Sequence, residues 1–255
     1  MILAIDVGNT NIVLGCIDEG KILNTVRIQT NDKCSAVDYA IKLKDSLDIY
    51  GIPHECFEGA IISSVVPQLT AALQEAVKLL CGVRCVVVGP GMKTGMNVRI
   101  DDPGTLAGDL VVGSVAAMSC YGTPCIVLDL GTATTIVAID EKGCYLGGAI
   151  LAGVKLSLRA LASGTSLLPD ISISAPKKCI ATNTVDSMRS GAVFGTAAMI
   201  DGMIERMEAE LGTSCKIVAT GGLAQFIAPH CKREILCDDD LLLKGLWILY
   251  QKNKK

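Results

Sequence analysis

Residues 3–17 read LAIDVGNTNIVLGCI, and residues 126–139 read IVLDLGTATTIVAI. Each is an apolar run that reaches an Asp, one more apolar residue and a Gly, with Thr close behind and a second apolar run after it. Gly and Asn at the centre supply turn geometry, so each stretch reads as strand, tight turn, strand. Asp6 and Asp129 lie close to half a chain length apart in 255 residues, which predicts an internal duplication of one supersecondary unit. Working outward, helical spacing covers 36–50 (Val37, Ala40, Ile41, Leu43, Leu47), and 59–66 is strand-like up to Pro67. A helix is expected at 68–81, a buried strand at 85–89, a Gly/Pro-punctuated loop at 90–104 and a small-residue helix at 105–120. The second half continues with helix near 184–211, strand at 216–222 and a closing helix at 239–252. Strands alternating with helices indicate α/β architecture. The expected lobes are 1–117 and 118–255, with the closing helix (Leu241, Leu243, Leu246, Trp247 on apolar spacing) packed on the first.

Composition narrows the function classes. Half of the residues are hydrophobic and only 19% are charged, enough to bury a large core and too apolar for a disordered chain. Lys plus Arg total 23 against 26 Asp plus Glu, a net charge of −3, which argues against nucleic-acid binding through phosphate neutralisation. Aromatics at 4% leave little for base stacking. No basic segment precedes the first apolar run, Asp6 and Asn9 interrupt it, and no apolar stretch approaches the ~20 residues of a membrane span. The expected location is the cytoplasm. Twelve cysteines are scattered without a C-x-x-C pair, and His54 and His230 stand apart, so reduced thiols fit better than a zinc site.

The Asp-x-Gly turns carry the chemistry. A Gly lets backbone N–H groups approach an anion with no Cβ in the way, Thr adds a hydroxyl donor, and an Asp at the strand end can hold a cation or its water shell. Such turns are common in plain hairpins, but two of them, one per half, suit a nucleotide. ATGG (219–222) is a third Gly-rich turn, open to an adenosine or to simple close packing.

With these motifs the chain resembles the superfamily of acetate and sugar kinases, heat-shock ATPases and actin. Within it, IDVGNTNIVLG, ISSVVP (62–67), VGPGMKTGMN (88–97), DLGTATT (129–135), the Gly pair 147–148, LLP (167–169), NTVDSMRSG (183–191) and VATGGLA (218–224) follow the order and spacing of the type III pantothenate kinases, over essentially the whole chain. The resemblance implies a duplicated ribonuclease-H-like fold of two lobes with ATP in the cleft between them. It implies ATP-dependent phosphorylation of the primary hydroxyl of pantothenate, the first step toward coenzyme A. On this resemblance, Asp6, Val7, Gly8, Asn9, Thr10, Asn11, Ile12 and Val13 hold the ATP phosphates, with Asp6 near Mg²⁺ and Thr132 a further ATP contact. Asp129 matches a ligand of a monovalent cation (K⁺ or NH4⁺), and Asp109 matches the general base. Ile100, Ala107, Gly108, Asp109, Leu110 and Thr184 fall at pantothenate-contacting positions. The family works as a homodimer, and the small-residue segments 111–119 and 190–200 are the expected dimer face.

The acceptor side departs from the family pattern. Gly-Ala-Asp-Arg is replaced by Ala107-Gly108-Asp109-Leu110, a Tyr by Ile100, an Asn by Asp102, a Pro-Gly turn by Ala152-Gly153, and a usually basic position by Gly164. Losing one charge-assisted contact costs about 1.5–3 kcal/mol. Arg99, Arg159 or Arg189 is then expected to supply the missing charge. The alternatives are a kinase for a less anionic alcohol, or a catalytically impaired or regulatory subunit completed by a second family member.

Overall fold

The structure is a computed structural model that describes residues 1–254. It divides into two compact units, one of Met1–Gly95, Asp102–Ala116 and the chain from Asp240 onward, the other of Met96–Asp101 and Ala117–Asp239. These differ from contiguous lobes of 1–117 and 118–255 at two places, each with a physical cause described below.

In the first unit, β1 (Ile2–Val7), β2 (Asn11–Asp18) and β3 (Lys21–Gln29) form an antiparallel meander. After α1 (Ala36–Ile49), strand β4 (Gly59–Ser64) pairs parallel to β1, and after α2 (Pro67–Cys81), β5 (Cys85–Val87) pairs parallel to β4. The order is β3-β2-β1-β4-β5. Alternation decides which face meets which helix: Leu3, Ile5, Val7, Ile12, Leu14, Ala60 and Ile62 form one core with Tyr39, Leu43 and Leu47 of α1 and Leu69, Leu73 and Val77 of α2. Each large side chain buried there contributes about 1.5–3 kcal/mol. A capping box starts α1, Asp38 N–H donating to Ser35 Oγ while Ser35 N–H donates to the Asp38 carboxylate. Pro67 opens α2, and Gly82 ends it at φ 68°.

The second unit begins with β6 (Asn97–Val98). The chain re-enters it along α3 (Gly108–Tyr121) and builds β7 (Cys125–Leu130), β8 (Ala133–Ile139) and β9 (Cys144–Ala152). Then come α4 (Val154–Gly164), α5 (Thr184–Ser190), a π turn at Gly191–Gly195, α6 (Thr196–Leu211), β10 (Lys216–Thr220), α7 (Ala224–Ile227) and β11 (Leu236–Cys237). The sheet order is β11-β10-β7-β8-β9-β6. Without β6 this repeats the first sheet strand for strand, including the antiparallel first pair and the parallel return to the first strand. The duplication read from the two hairpins is therefore a property of both sheets. Ile126, Leu128, Leu130 and Ile136 pack against Ala197, Ile200 and Ile204 to form this unit's core.

The closing helix, α8 (Leu241–Asn253), returns to the first unit and covers the face of β1 and β4 that α1 and α2 leave open. Gly15 and Gly59 make room for it: a Cβ on Gly15 would fall 2.8 Å from Leu243, and one on Gly59 would collide with Tyr250. Residues 96–101 join the second unit because β6 pairs with β9. Sequence reasoning did not read β3 or β9, edge-side strands that bury little along much of their length. The helix expected at 105–120 starts at Gly108, since Asp102 accepts the Gly104 N–H and holds Pro103–Thr105 in a 3-10 turn. The helix expected at 184–211 is interrupted where Gly191 and Gly195 permit the π turn.

Candidate active site

In the first unit the turn after β1 is tied from two sides. Gly8 N–H donates to the Asn11 carbonyl (2.9 Å), and Thr30, just past β3, donates from its hydroxyl to the Gly8 carbonyl (2.7 Å). Asn9 and Thr10 are exposed at the tip, and Asp6, Gly8, Asn11 and Val13 are half-buried. Val7 and Ile12 sit in the core and can offer a ligand only backbone groups. A Cβ on Gly8 would crowd the Asn11 carbonyl at 3.1 Å, so the turn keeps a bare backbone facing outward.

On the α8-covered side of the same sheet, Asp6 is in register with Ser63 of β4. Both side chains share a face, since paired residues on neighbouring parallel strands point the same way. The start of α3 lies above them, where a Cβ on Gly108 would stand 3.3 Å from Ser63 Oγ. Asp109 follows at the helix N-terminus. Its carboxylate accepts the Leu110 N–H at 2.8 Å, and the side chain is half-buried. Burial pushes its pKa above the ordinary carboxylate value, against the pull of the Leu110 and Asp109 N–H groups. Ala107 caps the same turn through its carbonyl, which accepts from Val111 N–H. Asp6, Gly108, Asp109 and their neighbours thus form one constellation, with Ser63 a member that sequence reasoning missed. The doubled Ser in ISSVVP was the available signal, and only Ser64 is locally explained, bonding Val66 through both N–H and carbonyl.

In the second unit Asp129 closes β7 as Asp6 closes β1. Thr220 of β10 is its register partner, and Gly221 follows at φ 94°. A Cβ on Gly221 would overlap Asp129 Oδ1 and come within 2.7 Å of Leu130, so backbone passes directly over the carboxylate. Thr132 is exposed at the β7–β8 turn, and its carbonyl accepts the N–H of Gly153 (3.1 Å), the residue before α4. No side chain caps α4, leaving its first-turn N–H groups beside that turn. Among the described residues no three His, Cys, Asp or Glu side chains gather as a metal cluster.

Ile100 packs near Gly147, and exposed Thr184 opens α5 behind its cap Asn183, whose side chain accepts the Asp186 N–H. Thr184, Ser187 and Met188 line a pocket of about 690 Å³ with Leu151, Val154 and Leu158. Of the three expected Arg substitutes, Arg99 and Arg159 are exposed. Arg189 is half-buried on α5, bonded to Asp186 only at 3.4 Å, and its Nε is buried with no partner among the described residues. Segment 111–119 is buried from Val112 to Ala117, so it does not offer a dimer face. The 190–200 segment does expose residues, at Gly191, Gly195 and Ala198.

The model of the type III pantothenate kinase family matches residues 2–206. A type III pantothenate kinase of Halalkalibacterium halodurans is 41% identical over 253 residues, 99% of this chain and 100% of the relative. Among solved structures, component A of the (R)-2-hydroxyglutaryl-CoA dehydratase of Acidaminococcus fermentans superposes with a TM-score of 0.57 at 13% identity, covering 98% and 96% of the two chains. An inorganic polyphosphate/ATP-glucomannokinase from Arthrobacter sp. strain KM reaches 0.50 at 15% identity over 97% and 96%. At those identities the two structures speak for the fold alone.

Proposed function

The chain belongs to the type III pantothenate kinase family, and from that premise we propose how its own residues transfer phosphate from ATP to the primary hydroxyl of pantothenate. The observation that carries the reading is the carboxyl of Asp109, half-buried at the start of α3 with its pKa raised, on the face that also bears Asp6. Asp109 orients the acceptor hydroxyl and takes its proton as the new O–P bond forms. A carboxylate far weaker as a base than an alkoxide can do this only in step with phosphorus. Phosphoryl transfer asks chiefly for positioning and charge stabilisation, which a fixed carboxylate and backbone donors provide.

Residues 6–13 hold the phosphates through the N–H groups of the bare Gly8 turn and the side chains of Asn9, Thr10 and Asn11, with Thr132 an additional ATP contact. Asp6 is the one carboxylate on this turn, which fits Mg²⁺, an ion usually held by one or two carboxylates plus phosphate oxygens and water. Mg²⁺ supplies charge neutralisation when bound. Asp129, enclosed by the backbone of Gly221 and Gly131, suits a larger monovalent cation, K⁺ or NH4⁺. For the acceptor, Ile100, Ala107, Gly108, Leu110 and Thr184 are the proposed contacts, and Arg189 the partner of the pantothenate carboxylate in place of the missing Arg. The replacement of that Arg by Leu110 leaves the base intact, because Asp109 uses the Leu110 backbone and not its side chain. Nothing in the described residues favours the impaired alternative.

A homodimer is proposed to cover the exposed apolar side chains of the second unit, Ile150, Leu156, Leu161, Leu167 and Ile180. No helix among the described residues is long and apolar enough to cross a membrane. All twelve cysteines are free, and burial pushes the thiols of Cys16, Cys85, Cys125 and Cys231 up to about 12, which suits a reducing cytoplasm.

The test is coupled ADP release with ATP, Mg²⁺ and pantothenate, in K⁺ or NH4⁺ and again in Na⁺ alone. Pantothenate-dependent turnover that requires the larger cation is expected. ATP binding with no turnover in any salt refutes the reading.

A further inference from the structure

We infer that Ser63 belongs to the phosphoryl-transfer centre, its hydroxyl donating a hydrogen bond to the phosphoryl group in transit. The inference rests on the kinase reading above. The register of β1 and β4 sets Ser63 opposite Asp6 on one face of the sheet, and its Oγ reaches toward Gly108, one residue before Asp109. Ser63 is fully buried, at 0% exposure, and its hydroxyl has no partner among the described residues. Its register partner Asp6 bears a carboxylate, a good acceptor, and Ser63 does not bond it. Its neighbour Ser64 has a local role, closing a turn onto Val66. A buried hydroxyl without a partner opposes folding, and a hydrophobic residue of similar size would avoid that cost. Keeping Ser63 there makes physical sense if an oxygen of a ligand meets it.

The reacting phosphoryl is that ligand by chemistry and by place. As the bond from the acceptor oxygen to the γ-phosphorus forms, the bond from that phosphorus to the β–γ bridging oxygen breaks. The bridging oxygen leaves with the electron pair on ADP, and the acceptor proton passes to Asp109. Negative charge spreads over the three equatorial oxygens of the group in flight. Asp6 and Asp109 repel that charge unless a cation or a donor intervenes, and Ser63 is a neutral donor in register with Asp6 and close to Gly108. It keeps its own proton throughout, and its bond is strongest in the transition state.

Ser63→Ala and Ser63→Thr, compared with the unaltered chain, test this in the ADP-release assay with pantothenate and by thermal melting with and without ATP and Mg²⁺. Ser63→Ala should lower kcat roughly ten- to a hundredfold, the worth of a hydrogen bond to a charged group, with KM for pantothenate changed by less than about twofold. Its ligand-free melting temperature should stay the same or rise, because an unpartnered hydroxyl is removed. Ser63→Thr, which keeps the hydroxyl, should recover most of kcat. Unaltered kcat in Ser63→Ala overturns the inference, as does a loss of rate that merely accompanies a lower melting temperature and is not rescued by Thr. If the unaltered chain shows no pantothenate-dependent turnover, the kinase reading itself fails, and the thermal shift produced by ATP and Mg²⁺ then decides. A smaller shift in Ser63→Ala sustains the phosphate contact, and an equal one removes it.

Discussion

Asp6 and Asp129 end equivalent strands of two sheets with the same order once β6 is set aside, yet the two strand ends are differently built. The hairpin after Asp6 is one residue longer: Val7 pairs with Ile12, whereas Leu130 pairs with Thr134. On the neighbouring parallel strand, Asp6 faces the unpartnered Ser63, and the chain continues through a turn pinned by Ser64. Asp129 faces Thr220, and the chain continues through Gly221, whose left-handed backbone passes over the carboxylate. The first end has a second carboxyl group, Asp109, brought in by a helix start. The second has the backbone of Gly221 and Gly131 packed close to the Asp129 carboxylate. Duplication thus supplied one frame twice, and the residues just past each strand end differ in the way the proposed roles require, a reacting group at one end and a resting ion at the other.

The largest effect that would sharpen this contrast is expected from Asp109→Asn. If Asp109 is the base as proposed, its loss should lower kcat by about 10²–10⁴ while ATP still binds. Stability should move the other way. The folded-state pKa of Asp109 is raised above its unfolded value, so its carboxyl favours the fold below the ordinary carboxylate range and loses that contribution as pH rises through the raised value. At neutral pH the Asn variant should therefore melt at an equal or higher temperature, and the gap should close as pH falls below about 4. A melting series at several pH values beside the kinetic assay checks both halves. A variant that is both slow and unstable at pH 7 would make Asp109 a structural carboxylate, and the two strand ends would lose their main distinction.

How much of this was legible in sequence depends on distance along the chain. Asp6, Gly8, Asp129 and Gly131 were legible because turn chemistry is local and hairpins announce themselves within a dozen residues. The closing helix and its apolar spacing were also visible. The register of β1 against β4 was not, since it joins residues separated by two strands and a helix, and only that register sets Ser63 beside Asp6. For the same reason the excursion of 96–101 into the second unit depends on β6 finding β9, a pairing of two short stretches that no periodicity reveals. Arg189 was one of three equal candidates until burial separated it from the exposed Arg99 and Arg159.

That separation gives the next effect in size. Arg189→Leu should raise KM for pantothenate roughly ten- to a hundredfold, the loss of one charge-assisted bond, with KM for ATP little changed. Steady-state kinetics with each substrate varied in turn will show it. Equal changes in both constants would mean that Arg189 supports α5 through Asp186 and does not bind the acceptor.

The two glycines beside the carboxylates make the finest comparison. Gly8 has no left-handed φ, and an added Cβ meets only the Asn11 carbonyl at 3.1 Å. Gly8→Ala should leave stability within about 0.5 kcal/mol, because the small crowding is offset by the lower entropy of the unfolded chain. Its effect should appear in KM for ATP, where the methyl group meets the phosphates. Gly221→Ala forces a Cβ onto a φ of 94° and into Asp129, at a backbone cost of about 1–3 kcal/mol with comparable overpacking added. The melting temperature should fall clearly, and whatever activity remains should lose its preference for K⁺ over Na⁺. If Gly8→Ala proved the less stable of the two, the first turn would be the packed end and the second the open one, and the assignment of reacting group and resting ion would have to be exchanged.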